Sequence, residues 1–265
     1  MFSKSQLALK YFKYYFTASN GKGHGIHSPF VFQFITEILN DTTGYPAYKT
    51  VETLRTKLKK DQTILTIEDF GAGSSADKSH QRTIASIATN AAKPRKFGQL
   101  LFRMVKKYQP HTILELGTSL GITTSYLSLA NPGATLVTFE GAKTVAENAK
   151  NNFKQLDLQY VRLVEGNFDE TLSTTISLLP SIDFAFIDGN HRREPTVNYF
   201  NTILYKTNNF SVIVMDDIHW SAEMEEAWKY CKAHDSVTLS IDLFFVGILF
   251  FRKEILEKQH FIIRF

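Results

Sequence analysis

The chain has a single cysteine, Cys231, among its 265 residues. One cysteine excludes an intrachain disulfide and any zinc cluster built on cysteines. No apolar stretch near the start has signal-peptide character, and none elsewhere approaches the roughly 20 residues needed to cross a bilayer. A cytoplasmic protein is the expectation. Net charge is small as well, 30 Lys and Arg against 26 Asp and Glu, but it is unevenly spread. Residues 1–110 carry 17 basic side chains and 7 acidic ones, whereas residues 111–265 carry 13 and 19. The basic first part suits an acidic partner such as RNA, an anionic lipid or a phosphorylated small molecule, or is a plain solvated helical surface. At this length the chain buries the core of one large domain, or of one domain with a helical appendage.

A dinucleotide fingerprint is missing too. The run Ile113-Leu114-Glu115-Leu116-Gly117-Thr118-Ser119-Leu120-Gly121 takes an apolar strand into a glycine turn that opens a helix. Gly117 and Gly121 allow a sharp turn and close ligand approach, and the helix start offers free N–H groups. A pyrophosphate calls for G-x-G-x-x-G, yet Ser119 stands at the middle position and the spacing is G-x-x-x-G. Glu115 would repel a pyrophosphate but suits an ammonium group. A second strand, Thr135 to Glu140, ends in a carboxylate 23 residues after Gly117, about where a doubly wound fold places its ribose-binding acid. S-adenosylmethionine (SAM) offers an ammonium, a carboxylate and a ribose, and no phosphate.

On these residues the chain resembles the class I SAM-dependent methyltransferases from about Lys93 to Arg252. Within them it is most similar to the catechol and macrocin type O-methyltransferases, which share an E-L-G-T-x-x-G-like loop preceded by a helix such as Phe97 to Leu101. HGIHSPF near the start, DFGAGS, LELGTSLG, FIDGNH and MDDIHWS together resemble a group of bacterial methyltransferases. The resemblance implies that Glu115, Gly117, Ser119 and Gly121 surround the methionine part of SAM and that Glu140 binds the ribose hydroxyls. It implies that Gly166, Asn167 and Phe168 lie in the adenine-contacting loop, with Asp188 also beside the cofactor.

From Thr112 onward strands alternate with helices: strands at 113–117, 135–140, 160–165, 182–188 and 211–216, helices at 122–130, 142–154, 169–178, 195–205 and 221–233. Strands joined by helices imply a parallel sheet. Two closing strands, 237–243 and 245–251, read as a terminal hairpin, and Phe261 to Phe265 as a further edge strand or as packing for the first helices. The expected architecture is an α/β doubly wound, seven-stranded, mostly parallel sheet of the Rossmann-like methyltransferase type. Residues 1–92 are expected to form an N-terminal helical extension or lid, and residues 93–265 the SAM-binding domain. The extension opens with an aromatic amphipathic helix, Ser3 to Thr17. A second helix, Phe30 to Leu39, follows Ser28 as N-cap and Pro29 in the first turn, and an apolar face here suits core or dimer packing, with membrane-surface binding the alternative. The stretch Ile64 to Ser74 imitates a SAM loop, but no strand ending in an acid follows it. A lid loop or a surface turn is expected there.

Asp188 ends one strand, and Asp216 and Asp217 end the next. In the expected strand order these ends meet in one crevice, where three carboxylates repel unless a cation lies between them. Asp188, Asp216 and Asp217 are therefore candidate ligands of Mg²⁺. The macrocin-type resemblance, an Asp-Gly-Asp-His arrangement against Asp188-Gly189-Asn190-His191, makes His191 the expected general base, with His219 its competitor and Asp188 a second catalytic residue. The expected function is transfer of a methyl group from SAM to a hydroxyl of a small molecule. The rivals are an RNA or protein methyltransferase docking through the basic region, and a SAM-binding protein without turnover.

Overall fold

A computed structural model describes residues 1–67 and 81–265, so the whole DFGAGS stretch, residues 69–74, lies outside the described residues. In chain order the helices are α1 (Lys4–Thr17), α2 (Pro29–Phe34, continued by a π turn at Ile35–Leu39), α3 (Pro46–Leu58), α4 (Ile84–Asn90), α5 (Arg95–Tyr108), α6 (Ile122–Ala130), α7 (Lys143–Gln155), α8 (Phe168–Ser177), α9 (Arg193–Leu204) and α10 (Ala222–Ala233). The strands are β1 (Ile64–Thr66), β2 (Gln81–Thr83), β3 (Thr112–Leu116), β4 (Thr135–Glu140), β5 (Val161–Glu165), β6 (Phe184–Ile187), β7 (Val212–Asp216), β8 (Leu239–Asp242), β9 (Val246–Phe250) and β10 (Gln259–Ile262). They fall into two units, Thr43–Leu179 on the one hand and Met1–Thr42 with Pro180–Phe265 on the other. The first 92 residues are thus divided between both units.

In the unit Thr43–Leu179, β3, β4 and β5 form a parallel ladder with β4 in the middle. β3 is buried along its whole length, as a parallel strand covered on both faces must be. Ile113, Leu114, Leu116, Val137 and Phe139 make its core with Leu127 of α6. α3 has Pro46 at its first turn and buries Val51, Leu54 and Leu58 at helical spacing. β1 and β2 pair as a small antiparallel ribbon.

In the other unit β6 and β7 are parallel, β9 runs antiparallel to both β7 and β8, and β10 lies parallel to β8. The hairpin expected at the chain's end is therefore present. Among the described residues the strands outside the ribbon number 8, one more than the seven expected, because β10 adds an edge beside β8. Ser28 stands at the N-cap of α2, but its side chain makes no capping bond; Pro29 at the first position supplies the fixed φ and removes one orphan N–H. α1 is fastened by one face only. Tyr14 is buried and gives its hydroxyl hydrogen to the carbonyl of Ile263, its ring 5.2 Å from that of Phe244. Lys10 Nζ pairs with Glu225 at 2.9 Å.

Candidate active site

The glycine turn after β3 has the backbone its sequence requires. Gly117, Ser119 and Gly121 all take left-handed φ, of 101°, 49° and 78°. A Cβ on Gly121 would overlap the Phe153 ring, so only glycine fits. Ser119 adopts φ > 0 without that freedom, and its amide is held by the Glu140 carboxylate at 2.8 Å. The other Glu140 oxygen accepts from the amide of Ala142 at 3.0 Å. Glu140 thus stands at the end of β4, half-buried, bracing the turn that the sequence pairs it with.

Glu115 lies in β3, one residue before the strand's end. It is wholly buried, and its Oε2 accepts hydrogen bonds from Thr124 at 2.5 Å and Thr138 at 2.6 Å. The carboxylate ties β3 to the start of α6 and to β4. After β5, Gly166 turns with φ 117° and Asn167 caps α8 through the Asp169 amide at 3.1 Å. Phe168 packs edge-on against Phe139, ring centres 6.2 Å apart.

In the other unit the register of β6 and β7 pairs Ile187 with Met215, so Asp188 and Asp216 leave adjacent strand ends together. Asn190 at φ 50° folds the following loop back over them, its carbonyl accepting the Arg192 amide. His191 is carried into the cluster: Nε2 lies 3.6 Å from Asp188 Oδ1 and 3.9 Å from Asp217 Oδ2. One donor atom each from Asp188, His191 and Asp216 lie within 4.8 Å of one another, close enough to hold a cation. Two carboxylates and an imidazole fit a divalent ion, with the nitrogen favouring a transition metal over Mg²⁺. The sequence marks His191 as a base, and the structure adds a capacity to ligate. The signal for its second capacity is the Asp188-x-x-His191 spacing in a loop that folds back.

His219 is built into a separate network. Its Nδ1 meets Glu225 at 3.0 Å and its Nε2 meets Asp242 at 2.8 Å, while its ring stacks on Phe244. With both nitrogens engaged by carboxylates, it has none left to take a proton from a substrate. Burial alone would lower its pKa, but the hydrogen bonds and charges of Asp242 and Glu225 outweigh burial and raise it. The sign follows: a pKa higher in the fold than in the unfolded chain adds stability below the ordinary value of about 6.5, lost as pH climbs through the raised pKa. Wild-type Tm should fall over that alkaline interval more than the Tm of His219→Gln. Parallel Tm curves for the two proteins would contradict this role.

The likeness to solved structures is one of fold. A methyltransferase of Podospora anserina, PaMTH1, solved bound to SAH, matches at 16% identity and TM-score 0.59, covering 86% of this chain and 97% of its own. The O-methyltransferase of Bacillus cereus in complex with SAH matches at 18% and 0.55, covering 83% and 96%. TomG, an O-methyltransferase of Streptomyces achromogenes involved in tomaymycin synthesis and solved with SAM, matches at 17% and 0.56, covering 79% and 91%. No curated protein matches the sequence. Residues 114–218 match the family model described as a methyltransferase domain. The fold is thus that of solved methyltransferases, and the match to a methyltransferase domain spans residues 114–218.

Proposed function

We propose that this chain transfers the methyl group of SAM to a hydroxyl of a small molecule. The observation that carries the reading is the convergence of His191 with Asp188 and Asp216 at the strand ends of a methyltransferase domain. A hydroxyl must lose its proton as it attacks, and a base beside carboxylates provides for that loss. SAM is the donor, in keeping with the SAM or SAH bound to the fold relatives. In this reading Gly117, Ser119 and Gly121 shape its methionine end, Glu140 accepts from its ribose, Gly166 to Phe168 border the adenine, and Glu115 holds the turn from beneath. The acceptor oxygen attacks in line: the O–CH₃ bond forms, the S–CH₃ bond breaks, and the hydroxyl proton passes to His191 Nε2. Asp188 orients that imidazole. A divalent ion would be held by Asp188 and Asp216 with Asp217, and would lower the pKa of the acceptor hydroxyl.

A second reading rests on a groove of about 810 Å³ whose lining includes Lys49, Lys57, Lys60 and Arg95. Such a groove suits an acidic acceptor such as RNA. The deciding experiment follows labelled methyl from SAM onto a panel of phenols, sugars, lipids and RNA, each with Mg²⁺, with Mn²⁺ and with chelator. Labelling of a hydroxyl-bearing small molecule, lost in chelator and restored by a divalent ion, is the expected result. Labelling of RNA alone would replace the small-molecule reading, full activity in chelator would remove the metal, and SAM binding without any SAH would make this a non-enzyme.

A further inference from the structure

The face of α1 turned away from Tyr14 is apolar and open to solvent. Leu9, Phe12 and Phe16 recur at spacings of three and four, which places them on one stripe of the helix. They are 74%, 63% and 74% exposed. The rings of Phe12 and Phe16 lie 5.8 Å apart, and Tyr15, 47% exposed, sets its ring edge-on to Phe16. Large aromatics this open cost solubility, so a helix that keeps them has a use for them. The helix does not need them for docking onto its own unit. That is done by Tyr11 and Tyr14 against Phe244, by the bond from Tyr14 to Ile263, and by Lys10 on Glu225.

Charge selects the occupant. Lys4 and Lys13 are exposed and flank the stripe on either side, and Lys22 is exposed just beyond the helix. The first acidic residue of the chain is Glu37, so the segment holding the stripe has four lysines and no carboxylate. A second copy of the chain meeting this face would set lysine against lysine with nothing of opposite sign from the same segment to pair them. A surface of anionic lipid headgroups supplies that sign, while the acyl boundary receives the aromatic rings. Tyr15 suits the border between the two, with an apolar ring and a polar tip. Among the described residues no helix is long and apolar enough to cross a membrane, so the helix would lie in the interface.

We propose that α1 docks this protein on anionic membranes, with Leu9, Phe12 and Phe16 inserted and Lys4 and Lys13 against the headgroups. The proposal does not depend on the reaction assigned above. The test is co-sedimentation of the full chain with vesicles of equal parts phosphatidylcholine and phosphatidylglycerol, and with vesicles of phosphatidylcholine alone. The protein should pellet with the anionic vesicles and be released by high salt. Replacing a buried phenylalanine ring by a polar group should weaken partitioning about tenfold or more, so Phe12→Ser with Phe16→Ser should leave the protein in the supernatant. Lys4→Glu with Lys13→Glu should lose the preference for anionic lipid. All four side chains are exposed, and an unchanged Tm shows that each variant is folded. Failure of the folded wild type to pellet with anionic vesicles overturns the proposal. So does a dimer in sedimentation velocity that the phenylalanine pair dissociates while vesicle binding is absent, since the stripe is then a subunit interface.

Discussion

His191→Ala should lower turnover by about 10²–10⁴-fold, the usual contribution of a positioned general base, and leave SAM affinity nearly unchanged. The argument is one of position. His191 is the histidine that the loop after β6 carries to Asp188 and Asp216, its Nε2 3.6 Å from Asp188 Oδ1. His219, the other candidate, spends both nitrogens on Glu225 and Asp242. His219→Ala should therefore act through the fold, lowering Tm before it lowers the rate per folded molecule. The comparison is of single-turnover rates and calorimetric SAM affinities for both variants. Should His219→Ala abolish chemistry in a protein of normal Tm while His191→Ala matches wild type, the base would belong to the strand-end loop after β7. A metal assay separates the two capacities of His191: loss of bound divalent ion in His191→Ala, with the rate restored by excess metal, would make it a ligand and not the base.

Glu140→Ala should weaken SAM binding by about 1–3 kcal/mol, roughly 5- to 150-fold, because a charged acceptor is removed from the ribose. The structure adds a second consequence. Both carboxylate oxygens already accept backbone N–H groups, from Ser119 and Ala142, so the substitution also frees the left-handed turn at Ser119. Glu140→Gln distinguishes the effects, since its amide keeps one accepting oxygen and cannot accept through its nitrogen. Affinities in the order wild type, Gln, Ala support the ribose role. Equal affinity in all three proteins would reduce Glu140 to a brace of the loop.

Local pattern carried much of this architecture into the sequence. The helix at 122–130 and the strand at 135–140 have the same limits in the structure as in the reading of the chain, because glycine turns and strand-ending acids mark them. The helix Pro46–Leu58 was legible in principle, with proline at its start and apolar residues at helical spacing, but no motif drew attention to it. Contacts between distant residues were not legible. Glu115 precedes the glycine turn, and no spacing marks that Thr124 and Thr138, 9 and 23 positions further on, hold one of its oxygens in the core. His219 resembles a catalytic histidine until Asp242 closes on it from another strand. The fastening of α1 to Phe244 and Ile263, more than 200 positions away, is also not marked by any local pattern. The substrate, likewise, depends on pocket walls that no motif describes.

The central claim is that the turn between β3 and α6, with Glu140, is a SAM site. Calorimetric titration of the purified wild-type chain with SAM and, separately, with NAD tests it most directly. The account predicts saturable binding of one SAM per chain, displaced by SAH, and no measurable heat with NAD. Tight binding of NAD, or no binding of SAM by the folded protein, would contradict it.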